Sequence, residues 1–333
     1  MTSGHAPTST RQFQNVAVVG HHAAGGRREA AGPLGGNLDQ VWEDDLAGEA
    51  TWEAAEAKMA VHVLGGAAEG GGWQLADVDV VLGGDLLDQL VSTNFAGRQH
   101  RRPTLGVFSA CATFAEAVGL AGVWCELGSA RVLAGAWSHH LAVERQFRFP
   151  IEFGYQRSPT ASWTATAAGA LAITQGAGPV RLRAFTVGRV VDPGSTDPMD
   201  MGTAMAPAAW DSLQRHLEAV GETWSAYDRV FTGDLGMVGS AILCDLAHDG
   251  HFGRVHDDCG RSLYRPDQDV HNGGSGTGCV AAVVASHVLP HLEDGRWHRV
   301  LVAATGALFS PTSYQQGESI PAVAHVIELE AGR

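Results

Sequence analysis

The chain has 333 residues, of which 45% are hydrophobic and 17% charged, and it carries a formal net charge of −14 at pH 7. Such a length supports one large domain or two fused halves. The acidic balance argues against a nucleic-acid ligand, which requires a basic surface, and against docking on anionic lipid unless basic residues cluster in space.

The cysteines and the apolar segments indicate a protein of a reducing compartment with no membrane span. No two cysteines form a C-x-x-C pair, so neither a disulfide framework nor a zinc site is indicated and no metal is expected. Residues 1–14 lack the apolar core of a signal peptide, and no apolar run reaches the length of a membrane helix. Any contact with a membrane is therefore expected to pass through a partner.

Apolar periodicity predicts alternating strands and helices in the first half of the chain. In order these are a strand at 16–19, a helix at 52–64, a strand at 78–82, a helix at 86–95, a strand at 104–108, a helix at 111–127, and strands at 131–136 and 165–173. Residues 20–36, rich in Gly, His and Arg, are interpreted as a solvated loop, although Arg27 and Arg28, and likewise His21 and His22, have the chemistry to contact an anion. Residues 138–163 contain Pro150 and Pro159 and form an irregular excursion from the core, a kind of segment that is often functional.

The second half repeats the first in outline. It contains predicted strands at 180–191, 228–232 and 299–304 and helices at 206–220 and 274–289. A strand ends in Gly-Asp-Leu in both halves, and we expect Asp85 and Asp234 of these turns to accept backbone N–H bonds at the start of the next helix. The matching order predicts a duplicated α/β chain, divided into residues 1–176 and 177–333. Each half is expected to contain a sheet, with central helices packed between the sheets.

Cys111 marks the junction between the strand at 104–108 and the buried helix at 111–127. At a helix N-terminus, the helix dipole and the free backbone N–H groups favour a thiolate. Three roles stay open for Cys111 from this pattern. It can be a small residue that lets the helix pack closely, a residue that lines a binding pocket, or a nucleophile.

Several segments of the chain resemble the stage V sporulation protein AD family, which belongs to the thiolase-like superfamily. The resemblance runs from about residue 16 to residue 330, and its specific segments are Ala204-Met205-Ala206-Pro207-Ala208-Ala209, Pro266-Asp267-Gln268-Asp269-Val270-His271 and Ser310-Pro311-Thr312-Ser313-Tyr314-Gln315-Gln316-Gly317-Glu318-Ser319-Ile320-Pro321. It implies a thiolase-like fold of two pseudo-symmetric halves in a layered α-β-α-β-α arrangement. It also implies a homodimer that forms through the sheet edge at 104–108.

The resemblance further implies a function in spores, because members of that family belong to the machinery that moves dipicolinic acid into the forespore and releases it at germination. By this resemblance the chain is a non-enzymatic subunit that binds dipicolinic acid or its calcium chelate and needs no cofactor. It would work with other SpoVA membrane proteins, as a peripheral protein on the cytoplasmic side of the forespore or spore inner membrane. Two alternatives stay open: an acyl-CoA condensing or transferring enzyme that uses Cys111, and a structural subunit that keeps only the dimer surface.

Acyl transfer by this fold requires a base beside the nucleophile and donors for the oxyanion. The resemblance places one histidine after the strand at 228–232, where this chain has Gly233 and Asp234. It places a second polar group in the Gly-rich turn, near Gly276. The nucleophile position is kept and the base positions are not, so an enzyme is not the favoured interpretation.

A site for dipicolinate needs Arg or backbone N–H donors for its two carboxylates and an apolar or aromatic slot for its ring. On the implied fold, the candidate ligand-binding residues are His139, Arg145, Arg148, Arg157, His271, Tyr314 and Gln315. The alternative for any one of them is ordinary surface structure, in which Arg145 pairs with Glu144 or Glu152 and His271 caps its turn.

Overall fold

The computed structural model describes residues 9–147 and 157–332 as a mixed α/β fold. Its strands are β1 (Thr10–Gln12), β2 (Val16–Gly26), β3 (Gln40–Trp42), β4 (Val80–Gly84), β5 (Thr104–Gly106), β6 (Val132–Ser138), β7 (Trp163–Thr164), β8 (Ala167–Gln175), β9 (Val180–Thr186), β10 (Arg229–Thr232), β11 (His256–Asp258), β12 (Gly274–Ser275), β13 (Arg299–Ala307) and β14 (Ala322–Ala331). Its helices are α1 (Arg27–Ala30), α2 (Trp52–Gly70), α3 (Val91–His100), α4 (Thr113–Glu126), α5 (His140–Phe147), α6 (Met201–Val220), α7 (Gly236–Ala247), α8 (Phe252–Val255), α9 (Cys259–Leu263), α10 (Thr277–Val283), α11 (Leu289–Glu293) and α12 (Pro311–Gln315). Short 3-10 helices lie at Gly35–Asn37, Leu75–Asp77, Asp88–Leu90, Trp224–Ala226 and Pro266–Gln268, and the π-helical turn Val284–Val288 joins α10 to α11.

The strands of the two halves follow the same order. The hydrogen-bonded order is β5-β4-β6-β8-β2 in the first half and β11-β10-β13-β14-β9 in the second. Pairing is parallel on both sides of β4 and β10, and antiparallel on both sides of β8 and β14. The halves join into one sheet where β2 pairs with β9, through Ala17–Arg181 and Val18–Val180. The α/β class is confirmed, whereas the boundary at residue 176 stays a prediction.

The buried helices α4 and α10 lie in the largest apolar core, which also contains strand residues of both halves. Helix α4 packs against β4 and β6 of the first half and against β13 and β14 of the second. Small residues in α4 permit this close approach, since a Cβ on Gly119 would lie 2.2 Å from the Phe185 ring. Helix α2 covers β2, β6 and β8, and helix α6 covers β13 and β14. The first residues of the central helices are thereby brought to the junction of the two halves.

The Gly-rich segment that follows the first strand is itself a strand. Strand β2 continues to Gly26, so the predicted loop at 20–36 is wrong for residues 20–26. The reason is the packing of α2 on this strand, because a Cβ on Gly20 would lie 2.3 Å from the backbone nitrogen of Gly71. Glycine here allows a helix to approach a strand closely, and the same composition misled the prediction because it is also typical of loops.

Several other predicted boundaries change. The helix predicted at 86–95 begins at Val91, because Gln89 and Leu90 adopt left-handed conformations with φ of 57° and 54°. The strand predicted at 180–191 ends at Thr186. The excursion at 138–163 opens with helix α5, and its residues 148–156 lie outside the described residues. No element is predicted for residues 322–331, which form β14 between β13 and β9.

Candidate functional site

A cavity of about 270 Å³ lies beside Cys111 and takes its lining from both halves of the chain. The lining residues that the structure describes are Leu86, Phe108, Ala110, Cys111, Val143, Glu144, Phe147, Ser162, Thr164, Pro198, Met199, Met201, Ser275, Ala307, Phe309, Pro311, Tyr314 and Gln315. Apolar and aromatic side chains dominate, and no Lys, Arg or His is among these described residues. The volume is close to the lower end of the range for small-molecule sites, roughly 300–1,000 Å³.

Cys111 lies between β5 and α4, as predicted, and its half-buried side chain lines the cavity. Its thiol lies 3.8 Å from the Ser275 hydroxyl, and that hydroxyl donates to Oδ2 of Asp234 at 2.6 Å. Burial, followed by the charge of Asp234, raises the pKa of Cys111 well above its ordinary value. The thiol is therefore protonated at neutral pH, and its place before a helix does not turn it into a thiolate.

Asp234 occupies the place where the resemblance implies a catalytic histidine. Its buried carboxyl also accepts a hydrogen bond from the Thr305 hydroxyl at 2.8 Å and one from the Gly276 N–H at 3.2 Å. Burial raises the pKa of Asp234 as well. A carboxylate beside the sulfur disfavours the thiolate, so the arrangement opposes the charge state that acyl transfer requires.

The acceptor for the N–H groups at the start of α7, the helix after Asp234, comes from another part of the chain. The prediction that Asp234 accepts its N–H groups is wrong, because the Asp258 carboxylate accepts from Leu235 N at 2.9 Å and from Gly236 N at 3.1 Å. Asp258 ends β11, which lies next to β10 in the sheet. Sequence reasoning missed this residue because it reaches α7 across two neighbouring strands and not through local spacing.

The equivalent turn of the first half behaves as predicted. The buried Asp85 carboxylate accepts from Leu87 N at 2.8 Å and from Thr93 N at 2.7 Å, and the Thr93 hydroxyl donates to it at 2.6 Å. Thr93 is in the first turn of α3. Asp85 therefore fixes the start of the following helix within its own half.

Two of the predicted ligand-binding residues, Tyr314 and Gln315, line the cavity from helix α12. The centre of the Tyr314 ring lies 5.9 Å from that of Phe309, which lies 6.1 Å from that of Phe147 in α5. These three rings form an aromatic wall of the cavity. Such a wall matches the slot that a flat ring requires.

His139 and Arg145 lie outside the described lining. The buried His139 ring donates through Nε2 to the carbonyl of Asp45 at 2.7 Å, and burial lowers its pKa. Arg145 forms an ion pair with Glu53, and its guanidinium lies 5.0 Å from the centre of the Trp52 ring. Arg145 thus has the structural pairing that the sequence left open as an alternative, although with a different carboxylate.

Arg157 and His271 share a partner, Asp269, and neither is among the described residues that line the cavity. Arg157 donates to the backbone carbonyl of Asp269, and its guanidinium lies 4.8 Å from the centre of the Trp163 ring. The His271 ring donates through Nδ1 to the Ser158 carbonyl at 2.8 Å and contacts the Asp269 carboxylate at 3.0 Å. The remaining candidate, at position 148, lies outside the described residues.

Glu144 lines the cavity, although the sequence suggests only an ion-pair partner for Arg145. Its side chain is on the buried face of α5, and the residue is 7% exposed. The Thr164 hydroxyl donates to it at 3.4 Å. The signal available in the sequence was an acidic residue directly after the apolar Ala142 and Val143.

The described residues contain no candidate metal cluster of three or more His, Cys, Asp and Glu side chains. Within the same residues, no helix is long and apolar enough to cross a bilayer.

Comparisons with known proteins identify a family and a fold. A family model described as stage V sporulation protein AD matches residues 7–330 of the chain. The stage V sporulation protein AD of Bacillus subtilis (strain 168) is 43% identical over 310 residues, which cover 92% of this chain and 92% of that protein.

Solved structures of condensing enzymes are similar to the chain over nearly its whole length. The 3-oxoacyl-[acyl-carrier-protein] synthase III from Aquifex aeolicus VF5 has a TM-score of 0.58 and 11% identity, covering 95% of this chain and 99% of that one. A variant of OleA from Xanthomonas campestris has a TM-score of 0.60 and 13% identity, covering 98% and 99% respectively. At such identities the likeness shows the fold alone, and the predicted thiolase-like fold is confirmed.

Proposed function

Since the chain belongs to the stage V sporulation protein AD family and is a sporulation protein, we propose that it binds dipicolinic acid, free or as its calcium chelate, without catalysing a reaction. The proposed site is the cavity beside Cys111. One observation carries the proposal: a ligand-sized cavity lies at the nucleophile position, while Ser275 and Asp234 stand beside the sulfur where a base is required. A binding protein built on an enzyme fold keeps the pocket and loses the reactive groups.

The cavity offers both kinds of contact that a pyridine dicarboxylate needs. Its aromatic wall of Phe147, Phe309 and Tyr314 suits the flat ring. The side-chain amide of Gln315 and the Tyr314 hydroxyl supply donors for carboxylate oxygens. The ring would therefore lie against the wall with its carboxylates turned toward α12.

Charge favours the calcium chelate over the free dianion. The described lining has no cationic side chain but includes Glu144, and Asp234 lies behind Ser275. Two carboxylates without a counter-ion would be repelled by this acidic surrounding. Calcium would neutralise them.

The same proposal includes a homodimer that works with other SpoVA membrane proteins on the cytoplasmic side of the forespore or spore inner membrane, in uptake during sporulation and release at germination. The support for a dimer is the outermost strand β5, on which Leu105 is 42% exposed. An apolar side chain on an unpaired sheet edge favours association with a second edge. Light scattering is expected to give the mass of a dimer for the wild type and of a monomer for Leu105→Glu.

Calorimetric titration of the full chain with dipicolinate tests the binding proposal, with and without calcium. We expect Tyr314→Ala and Gln315→Ala to weaken binding about tenfold each, because each removes a wall or donor contact. Arg145→Ala is the matched control and should bind like the wild type, since Arg145 pairs with Glu53 outside the cavity. Absence of heat at millimolar ligand under both conditions would contradict the proposal.

Acyl transfer through Cys111 is the competing function, and its specific support is the cavity beside a cysteine in a condensing-enzyme fold. We expect intact-protein mass spectrometry to detect no acyl adduct after incubation with acyl-CoA thioesters, because the Cys111 thiol is protonated. An adduct that disappears in Cys111→Ala would favour the enzyme instead.

A further inference from the structure

Three arginines line one surface cleft of about 300 Å³. Arg27 and Arg28 come from α1, and Arg265 directly precedes a 3-10 helix. The other described lining residues are Ala31 and Gln268, and no acidic side chain lines the cleft among the described residues. In a chain with a formal charge of −14, this is the clustering of basic residues that composition alone does not reveal.

Two of these guanidinium groups are held in place. That of Arg28 lies 3.9 Å from the centre of the Trp163 ring and donates to the carbonyl of Gln268. That of Arg265 donates to the carbonyl of Ala31. The Gln268 amide donates back to the Arg28 carbonyl at 2.7 Å, so α1 and the 3-10 helix hold each other. Preorganised groups lose little conformational freedom when a ligand binds.

The positive charge of the cleft is only partly balanced. The Arg27 guanidinium is exposed and makes no hydrogen bond or ion pair with the residues that the structure describes. The Nε of Arg28 is buried and has no acceptor among them. Arg265 alone has a carboxylate partner, the exposed Asp267 at 3.0 Å. Like charges around one cleft repel one another, so an anion in the cleft would relieve this repulsion.

We propose that this cleft binds an oxyanion, a phosphate or carboxylate group carried by a small molecule or by a lipid headgroup. Guanidinium groups present planar pairs of N–H donors that match both kinds of oxyanion. Arg27 also lines an adjoining cavity of about 290 Å³ with Trp42 and Trp163, which gives room for the rest of the ligand. Arg28 lines both spaces as well, whereas the carboxylates of Glu29, Glu43 and Asp45 line the adjoining cavity and not the cleft, which limits the anionic group to the cleft. Neither space shares a described lining residue with the cavity beside Cys111.

Titration of the full chain with inorganic phosphate at low salt tests the site. We expect the wild type to bind and the double variant Arg27→Gln/Arg265→Gln to bind at least about tenfold more weakly, because charge-assisted hydrogen bonds are lost. Arg98→Gln is the matched control, since Arg98 is an exposed arginine outside the cleft. If the double variant has a lower unfolding midpoint, phosphate binding by the single variant Arg27→Gln replaces it as the test. The Arg27 guanidinium has no structural partner among the described residues, so this substitution should leave the fold intact.

Co-sedimentation with vesicles separates the two sources of the anion. Binding to phosphatidylglycerol vesicles but not to phosphatidylcholine vesicles, lost in the double variant, assigns a lipid headgroup. Phosphate binding without vesicle binding, again lost in the double variant, assigns a small molecule. The proposal is overturned if the wild type binds neither probe, or if the double variant binds either probe as well as the wild type.

Dipicolinate itself carries carboxylates, so its titration is repeated on both sets of variants. Loss of dipicolinate binding in Arg27→Gln/Arg265→Gln but not in Tyr314→Ala would support the cleft and contradict the cavity as the dipicolinate site. Loss of dipicolinate binding in Tyr314→Ala alone would support the cavity as the dipicolinate site. The proposal for the cleft is then decided by the phosphate and vesicle experiments. The two proposals can therefore fail separately.

Discussion

The same Gly-Asp-Leu turn follows β4 and β10, yet its aspartate has different hydrogen-bond partners in the two halves. Asp85 accepts hydrogen bonds from the helix that follows it in the chain. Asp234 instead turns to Ser275 and Thr305, beside Cys111. The start of the second helix is left to a carboxylate from another strand. A repeated sequence motif thus preserves the strand and the turn but not the partner of its side chain.

The difference shows how a duplicated fold gains a single site. In the second half Asp258 provides the acceptor for the helix start, and this leaves Asp234 available to shape the pocket. The cavity consequently has a buried carboxyl near its cysteine, which raises the pKa of Cys111 after the larger effect of burial. The same substitution made in the two turns should therefore lower stability more in the first half and change the reactivity of the cysteine only in the second.

Removal of Asp85 should have the largest effect. We expect Asp85→Ala to lower the free energy of unfolding by about 4 kcal/mol, since three buried donors of Leu87 and Thr93 lose their acceptor. Asp234→Ala should cost about half as much, because two of its donors are hydroxyls that can rotate toward other acceptors. Urea unfolding of both variants measures the difference. Equal losses would mean that the two turns are energetically equivalent after all.

The substitute acceptor in the second half predicts a pH effect of intermediate size. Burial raises the pKa of Asp258 to about 7, whereas the same carboxyl in the unfolded chain titrates near its ordinary value. Between these values the unfolded chain has released the proton and the folded chain has not, so this group makes the protein less stable as pH rises.

Asp258→Asn removes this titration. We expect the stability of the wild type relative to Asp258→Asn to fall by about 2.5 kcal/mol between pH 5 and pH 7.5, from the linkage of two pKa values. Urea unfolding of both proteins at each pH gives the value. A difference between them that does not change with pH would show that Asp258 ionises normally in the fold.

Asp234→Asn should make the cysteine more reactive. Without the neighbouring negative charge the pKa of Cys111 falls toward its ordinary value, so the thiolate fraction rises. We expect alkylation of Cys111 by iodoacetamide at pH 9 to become about tenfold faster, which corresponds to one pKa unit. Peptide mass spectrometry reports Cys111 and the half-buried Cys244 in the same sample, and the rate for Cys244 should not change. In Asp85→Asn the rate for Cys111 should also stay unchanged.

Ser275→Ala should have the smallest effect and the opposite sign. The Ser275 hydroxyl, 3.8 Å from the sulfur, lowers the pKa of Cys111, although less than burial and Asp234 raise it. It does so by rotating its single O–H from Asp234 to the sulfur when the thiolate forms. Its loss should slow alkylation of Cys111 by about threefold, as expected for one weak hydrogen bond to the thiolate. A faster reaction in Ser275→Ala would show that the hydroxyl shields the thiol and does not stabilise its anion.

Local patterns made the fold predictable, and long-range contacts limited prediction of the site. The Asp85 contacts lie within eight residues, so helix-capping rules apply to them. Asp234 meets its partners 41 and 71 residues away, and no spacing rule covers such distances. Burial on both faces hid β14 from periodicity analysis, because a strand in the middle of a sheet has no alternating polar face.

The position of β14 in the sheet has a consequence for synthesis of the chain. In each half the last strand to be made pairs with two strands that precede it in the chain: β8 lies between β6 and β2, and β14 between β13 and β9. The first half can close while the second is still on the ribosome. In the second half the edges of β13 and β9 that pair with β14 stay unpaired until the ten residues of β14 have emerged from the ribosome. Truncation inside Ala322–Ala331 should therefore yield a nascent chain that needs chaperones and aggregates without them.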